Sequence, residues 1–234
     1  MGKVKLSIIM PVYNERHTLK QIIKEVMQLN IKDVEKEVII IDDGSTDGSR
    51  EILKSLERFG KGDCKIFYHR KNLGKGTAVN TGIQRSSGDI IIIQDADLEY
   101  DPKEIPKLLQ PIINNEVEVV YGSRFLRHHK PQYPVYYFGN IVLSWVTTLI
   151  FFTKITDMET CYKVFKREVI KDIKLKARGF DLEPEITAKI LKNGYKIKEL
   201  SISFRPRKFE EGKKITWKDG LMAIFYLLKY RFFD

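Results

Sequence analysis

Ile90-Ile91-Ile92-Ile93-Gln94-Asp95-Ala96-Asp97-Leu98-Glu99 is the stretch whose reading decides the fold. Four successive β-branched residues between Gly88 and Pro102 read as a fully buried strand. The strand runs directly into carboxylates. Side chains two apart on extended backbone point the same way, so Asp95 and Asp97 are expected to face one point in space. Two acids so placed repel unless a cation lies between them. A divalent ion holding a diphosphate meets that need, because Mg²⁺ and Mn²⁺ prefer oxygen ligands and share them with substrate phosphates. A pair of acids in a solvated turn is the competing reading, and Asp-x-Asp alone does not separate the two.

Outward from this strand the pattern repeats. Lys5 to Met10 is a short apolar strand ending at Pro11-Val12-Tyr13-Asn14-Glu15, and Thr18 is placed to cap a helix through Leu29. Val38 to Ile41 is a second strand and again ends in acids, Asp42-Asp43, before a helix that starts at Thr46 or Asp47 and runs to Phe59. Lys65 to Tyr68 is a third strand and Gly76 to Arg85 a helix; Pro102 opens another helix, and Val117 to Tyr121 is a fifth strand. Strand alternating with helix predicts an α/β fold, a mainly parallel, doubly wound, Rossmann-like sheet flanked by helices. Ligands bind such sheets beyond the carboxyl ends of the strands. Pro11–Glu15, Asp42-Asp43 and Asp95–Glu99 all fall there, so three polar clusters converge on one rim. From Tyr136 onward helices are expected to dominate, with Ile197 to Phe204 as a late strand. The 234 residues are read as one domain, residues 1–121 as a nucleotide-binding half and 122–234 as its acceptor-side cover.

Composition narrows the function. A formal charge of +10 suits an anionic partner, such as a nucleotide or lipid headgroups. No nucleic-acid motif or basic stripe accompanies it, so nucleic acid is not expected. Cys64 and Cys161 lie far apart without C-x-x-C spacing and read as reduced thiols. The start of the chain lacks the apolar run of a signal peptide. No stretch approaches the roughly 20 apolar residues of a membrane span. Ile141 to Phe152 reads as a helix with a partly exposed face. Leu221 to Leu228 reads as a buried core helix, although the cations and aromatics of Lys229-Tyr230-Arg231-Phe232-Phe233 are those of an interfacial helix. The expected location is therefore the cytoplasm, peripheral on the cytoplasmic face of a membrane.

Several motifs carry less. Leu73-Gly74-Lys75-Gly76-Thr77 lacks the spacing of a P-loop and the third glycine of a dinucleotide fingerprint, yet its glycines admit a ligand close to the backbone. His128-His129 reads as solvated loop, since neighbours in sequence cannot easily face one ion. Asp181, Glu183 and Glu185 suit a helix N-terminus. Arg205-Pro206-Arg207 with Lys213-Lys214 offers guanidinium and ammonium groups to phosphate, beside a Glu210–Lys214 loop that could close over a diphosphate.

Taken together, Ser7-Ile8-Ile9-Met10-Pro11-Val12-Tyr13-Asn14-Glu15, Ile41-Asp42-Asp43-Gly44-Ser45-Thr46-Asp47, Asn72-Leu73-Gly74-Lys75-Gly76 and Asp95-Ala96-Asp97 resemble the family 2 inverting glycosyltransferases with the GT-A fold. Gly122-Ser123-Arg124-Phe125, Gly179-Phe180-Asp181 and the Arg207–Lys214 segment are similar, more loosely, to the dolichyl- and polyprenyl-phosphate hexose synthases of that family. The resemblance implies a nucleotide-sugar donor, UDP-glucose or GDP-mannose, with Mg²⁺ or Mn²⁺. Pro11, Tyr13 and Glu15 would then cradle base and ribose, Asp42 would contact the base, and Asp95 the nucleotide. Asp97 would hold the metal, with Glu99 as a further ligand where mannosyl synthases tend to have glutamine. Arg124 would meet the acceptor phosphate, while Arg207 and Lys214 would meet the donor diphosphate. Those relatives often carry transmembrane helices that this sequence lacks, which leaves room for a membrane-anchoring partner protein.

The acceptor decides the chemistry. A phosphate monoester is largely a dianion at neutral pH and already nucleophilic. A sugar hydroxyl on a glycolipid or polysaccharide needs a base, and Thr156-Asp157-Met158-Glu159 offers Asp157. The phosphate acceptor is the favoured reading, the hydroxyl acceptor the enzymatic alternative, and a non-catalytic nucleotide-sugar or membrane-binding module the third.

Overall fold

The computed structural model describes residues 3–59, 64–126, 134–171, 173–179, 181–207 and 217–233. His128, His129, Phe180, Lys213, Lys214 and the rest of the Glu210–Lys214 loop lie outside the described residues. Strands β1 (Val4–Val12), β2 (Val34–Asp42), β3 (Cys64–Tyr68) and β4 (Ile90–Ile93) alternate with helices α1 (Leu19–Gln28), α2 (Ser49–Phe59) and α3 (Lys75–Arg85). A 3-10 turn (Pro102–Glu104), capped by Asp101 accepting from Lys103 N, leads into α4 (Ile105–Ile113) and β5 (Val119–Ser123). β1 pairs in parallel with β2 and β4, and β2 with β3. The register puts Val12 opposite Asp42 and Asp42 opposite Tyr68, so three strands finish at one rim. All four isoleucines of β4 are buried, as an unbroken apolar run requires.

The second half adds α5 (Pro134–Phe151), β6 (Lys163–Lys166), α6 (Arg167–Lys171), α7 (Leu182–Lys192), β7 (Ile197–Ser201) and α8 (Trp217–Phe232). The sheet order is β3-β2-β1-β4-β6-β5-β7. β6 is the departure from expectation: a strand runs antiparallel between β4 and β5, where the sequence suggested mostly helix. Four residues with a lysine at each end carry no strand signal of their own. Lys163 is nonetheless buried, because its ammonium donates to the carbonyls of Met158 and Thr160 at 2.6 and 2.7 Å and lies 4.3 Å from the centre of the Tyr121 ring. β5 and β7 both end at the rim, in parallel, which brings Ser123 and Arg124 toward the acids after β4.

At the opposite, amino-terminal end of the strands, buried Glu37 ties the sheet together. It accepts from Ser7 Oγ at 2.7 Å, Ser87 N and Oγ at 2.5 and 2.9 Å, and Lys65 Nζ at 2.9 Å. Burial alone would raise its pKa; these donors outweigh it and bring the value down to about 2.

A second, smaller core of Leu143, Phe151, Met158, Ala188, Leu227 and Tyr230 joins α5, α7 and α8. α8 is not a buried core helix. It buries Ala223 and Leu227 but exposes Leu221, Met222, Phe225 and Phe232, because only one of its sides meets α5 and α7. Ile141, Trp145 and Phe152 are likewise exposed along α5 and just beyond it.

Candidate active site

The loops after β1 and β2 lock to each other. Asn14, in a left-handed conformation (φ 55°), donates its N–H to Ser45 Oγ and accepts from Thr46 N on its side chain. Glu15 N donates to Ser49 Oγ and Arg16 N to Asp47. This lattice fixes the Glu15 carboxylate at the rim, with Pro11 and Tyr13 half-buried beside it. Asp42 is fully buried and accepts from Arg50 Nε at 2.6 Å and Ser45 N at 3.2 Å. Asp43 accepts from the backbone of Leu73 and Gly74 and from His69 Nδ1, and so fixes the glycine turn.

That turn delivers Lys75 into the site. Its ammonium lies 2.9 Å from both Asp95 and Glu183. Burial disfavours its charge, yet these two carboxylates hold its pKa well above the ordinary value. Gly74 (φ 93°) and Gly76 have no room for a side chain: a Cβ would come within 2.0 Å of the Arg178 carbonyl and 2.5 Å of the Ala177 carbonyl, respectively.

β4 ends at Ile93, so Asp95 and Asp97 follow the strand, close enough for their charges to act on each other, and they take different partners. Asp95 turns to Lys75, whereas Asp97 Oδ2 takes a 2.8 Å hydrogen bond from Arg207. The same guanidinium donates to Glu15 at 3.0 Å and has its Nε 3.7 Å from Glu99, whose carboxylate accepts from Arg207 N. Four of the expected site residues, Glu15, Asp97, Glu99 and Arg207, are therefore one cluster. Burial, together with the charges of Asp95 and Glu99, lifts the Asp97 pKa to about 7 despite Arg207.

Arg124 stands on the β5 side. Asp157 takes its N–H, Nε and a terminal nitrogen at 2.9, 2.7 and 2.7 Å. Glu199 of β7 fixes Asp157 by accepting from its backbone N–H at 2.9 Å. Phe125 and Phe204 lie against the guanidinium, 5.5 and 5.0 Å from ring centre to Cζ. Beside the pair, Glu159 has a buried Oε1 with no hydrogen-bond partner among the described residues, and burial, with the charge of Glu183, raises its pKa.

The sequence missed Lys75 and Glu183 as site residues. The glycines around Lys75 were a signal of close approach, but only the fold reveals what approaches. Among the described residues no three His, Cys, Asp or Glu side chains converge as a ready metal cage. The donor chemistry nevertheless fits a hard cation: Asp97 and Glu99 offer carboxylate oxygen, and the cluster already holds a cation, Arg207.

Comparison with known proteins identifies the family and the fold. A model of the family described as glycosyl transferase family 2 matches residues 7–174. The chain is 29% identical over 234 residues to a dolichol-phosphate mannosyltransferase of Pyrococcus furiosus, covering 97% of this chain and 64% of that protein. It thus spans less than two thirds of that relative's length. It is 30% identical over 220 residues to a UDP-N-acetylglucosamine–dolichyl-phosphate N-acetylglucosaminyltransferase of Methanococcus voltae, covering 86% of each. Among solved structures, glucosyl-3-phosphoglycerate synthase from Mycobacterium tuberculosis with uridine diphosphate shares the fold with a TM-score of 0.75 at 17% identity, over 97% of this chain and 80% of that one. The same enzyme with Mn²⁺, uridine diphosphate and phosphoglyceric acid gives 0.72 at 17% identity, over 99% and 80%. These likenesses identify a GT-A sheet. With the family match over most of its length, the chain belongs to glycosyl transferase family 2.

Proposed function

We propose that the protein transfers a hexose, with inversion, from a nucleoside diphosphate sugar to a polyprenyl or dolichyl phosphate. The observation that carries this reading is the Arg124–Asp157 pair. Asp157 has no exposed surface and spends both carboxylate oxygens on Arg124, so it is a counter-ion and not a free base for a hydroxyl acceptor. A phosphate dianion needs no base. It does need a cation, and the Arg124 guanidinium is held by its other edge at the rim. The two curated relatives are both named for transfer to a dolichyl phosphate.

In this reading an acceptor phosphate oxygen attacks the anomeric carbon, and the bond to the donor's β-phosphate breaks in line. The electron pair leaves on the nucleoside diphosphate, and no proton has to move. Asp97 and Glu99 would hold a Mg²⁺ or Mn²⁺ ion, which when bound stabilises charge on the leaving diphosphate. Arg207 meets the same diphosphate from the C-terminal side. Lys75 holds Asp95 in place, so that it would present a fixed acceptor to the nucleotide. Pro11, Tyr13 and Glu15 would line the base and ribose side, and Asp42, buried against Arg50 and Ser45, would contact the base. Residues 1–121 would supply the donor half and 122–234 the acceptor half of one domain.

The exposed apolar residues of α5 and α8 would rest on the membrane that holds the lipid acceptor. No helix among the described residues is long and apolar enough to cross one. The chain's charge of +10, with Lys229 and Arg231 in the last turn of α8, complements an anionic leaflet. Attachment is thus peripheral, on the cytoplasmic face where nucleotide sugars are supplied, with or without an anchoring partner.

The test is a transfer assay with radiolabelled UDP-glucose, GDP-mannose and UDP-N-acetylglucosamine, each with Mg²⁺ or Mn²⁺ and with or without dolichyl phosphate. Label should enter the organic phase only when lipid phosphate and metal are both present, and the productive donor is then named. Label passing instead to a glycolipid hydroxyl, or nucleotide-sugar binding without any product, defeats the proposal.

A further inference from the structure

Arg207 is the hub of a cluster with Glu15, Asp97 and Glu99. Every oxygen of Asp97 is committed. Oδ1 accepts from Glu99 N at 3.1 Å, inside its own turn, and Oδ2 accepts from Arg207 at 2.8 Å. Only Oδ2 faces outward to another segment, and Arg207 holds it. The guanidinium also bridges to Glu15, 192 residues away in sequence, at 3.0 Å, while its backbone N–H anchors Glu99. Arg207 Nε is buried and, among the described residues, has no hydrogen-bond partner, its nearest carboxylate being Glu99 at 3.7 Å. A buried donor left unmade is costly, so this arrangement is one that another state can improve upon.

We propose that Arg207 and the divalent cation are alternative partners of Asp97 Oδ2, with Glu99 as the cation's further ligand, so that the metal enters only as the guanidinium leaves. A metal–oxygen bond needs Asp97 Oδ2 at about 2.0–2.2 Å. A guanidinium on the same oxygen would then lie within a few ångströms of a doubly charged ion, and the two cations repel strongly in a partly buried site. Displacement frees Arg207, whose Nε makes no hydrogen bond among the described residues, to meet the diphosphate that arrives with the metal. The exchange deepens the reading of this site as a metal-dependent donor site and rests on it. It also gives Glu15 a second role: it holds Arg207 in the metal-free state, beyond any contact with the ribose.

The consequence is measurable without turnover. Nucleotide-free protein would be titrated with Mn²⁺ and the free ion followed by electron paramagnetic resonance. Because the wild type is competent only in the fraction with Arg207 displaced, Arg207→Gln should bind Mn²⁺ at least about tenfold more tightly. Arg205→Gln is the control for simple loss of charge, since the Arg205 side chain is exposed and only its backbone touches Glu99; its affinity should change by less than about twofold. Equal tightening in both variants, no tightening in Arg207→Gln, or no Mn²⁺ binding by either protein overturns the exchange. Should Arg207→Gln fail to fold, the wild type decides alone. The Arg207 ¹⁵Nε resonance, assigned by its loss in Arg207→Lys, should shift on saturation with Mg²⁺, and an unmoved resonance refutes displacement. Neither readout uses donor or lipid, so a failed transfer assay beside a tightened Mn²⁺ affinity removes the acceptor reading and leaves the exchange standing.

Discussion

Asp97 pays for its position before any substrate arrives. Its folded-state pKa of about 7 lies above the ordinary carboxylate value of about 3.9, so the folded chain keeps a proton that the unfolded chain has lost between those values. Stability therefore falls as pH rises through that window. Asp97→Asn removes this penalty while keeping the side chain's shape. Metal-free Asp97→Asn should melt at or above the wild-type temperature at pH 7.5, with the gap closing toward pH 4, and should lose at least about a hundredfold in transfer rate. A variant that melts well below wild type at pH 7.5 contradicts the account. Glu37 is the opposite case, a carboxylate whose partners hold its pKa near 2. Its contribution is present above the unfolded value of about 4.3 and is lost as pH falls toward 2. Glu37→Gln should cost about 2 kcal/mol or more in urea unfolding at pH 7, and about 1 kcal/mol or less at pH 2.5. The acids of the site were legible because they end strands; their partners were not. Nothing local in the sequence ties Arg207 to Glu15, and Lys75 meets Glu183 only because β4, α3 and α7 are assembled around them.

At the scale of elements, the local periodicity located β1, β2, β3 and β4 and the helices between them within a few residues, because each buries a regular apolar face. β6 escaped because its burial comes from its neighbours. Lys163 and Lys166 bracket only Val164 and Phe165, and the strand exists because β4 and β5 leave a gap that it fills. Gly82 in α3 tests how far packing overrides propensity. An added Cβ would lie 2.4 Å from Ile9 Cγ2 and 2.7 Å from Ile41 Cδ1, both at the centre of the sheet. Helix propensity favours alanine over glycine by about 1 kcal/mol, whereas overpacking a well-filled core costs about 1–3 kcal/mol. Gly82→Ala should therefore lower stability by about 1 kcal/mol in chemical denaturation. A gain would show that α3 can move off β1 and β2 at little cost.

For the whole molecule, the question is what covers the outer side of α5 and α8. Phe138, Trp145 and Phe152 are 67%, 63% and 89% exposed, and Phe225 and Phe232 are 55% and 65% exposed, on or just beyond two helices packed against each other. Their inner sides close a core, so this is a finished surface and not an unfolded edge. Aromatic side chains beside cations suit the headgroup boundary, where rings insert and ammonium and guanidinium groups stay among phosphates. The chain should float with vesicles that contain phosphatidylserine and remain at the bottom with purely zwitterionic ones, and raising salt from 0.1 to 0.5 M should weaken its binding. Trp145→Asp combined with Phe225→Asp should abolish flotation while leaving sugar transfer to a short, water-soluble prenyl phosphate within about twofold of wild type, since neither residue lies at the rim. Flotation that ignores both substitutions puts the contact elsewhere. Concentration-dependent dimerisation abolished by the same pair would mean that a second copy of the chain, and not lipid, covers this face.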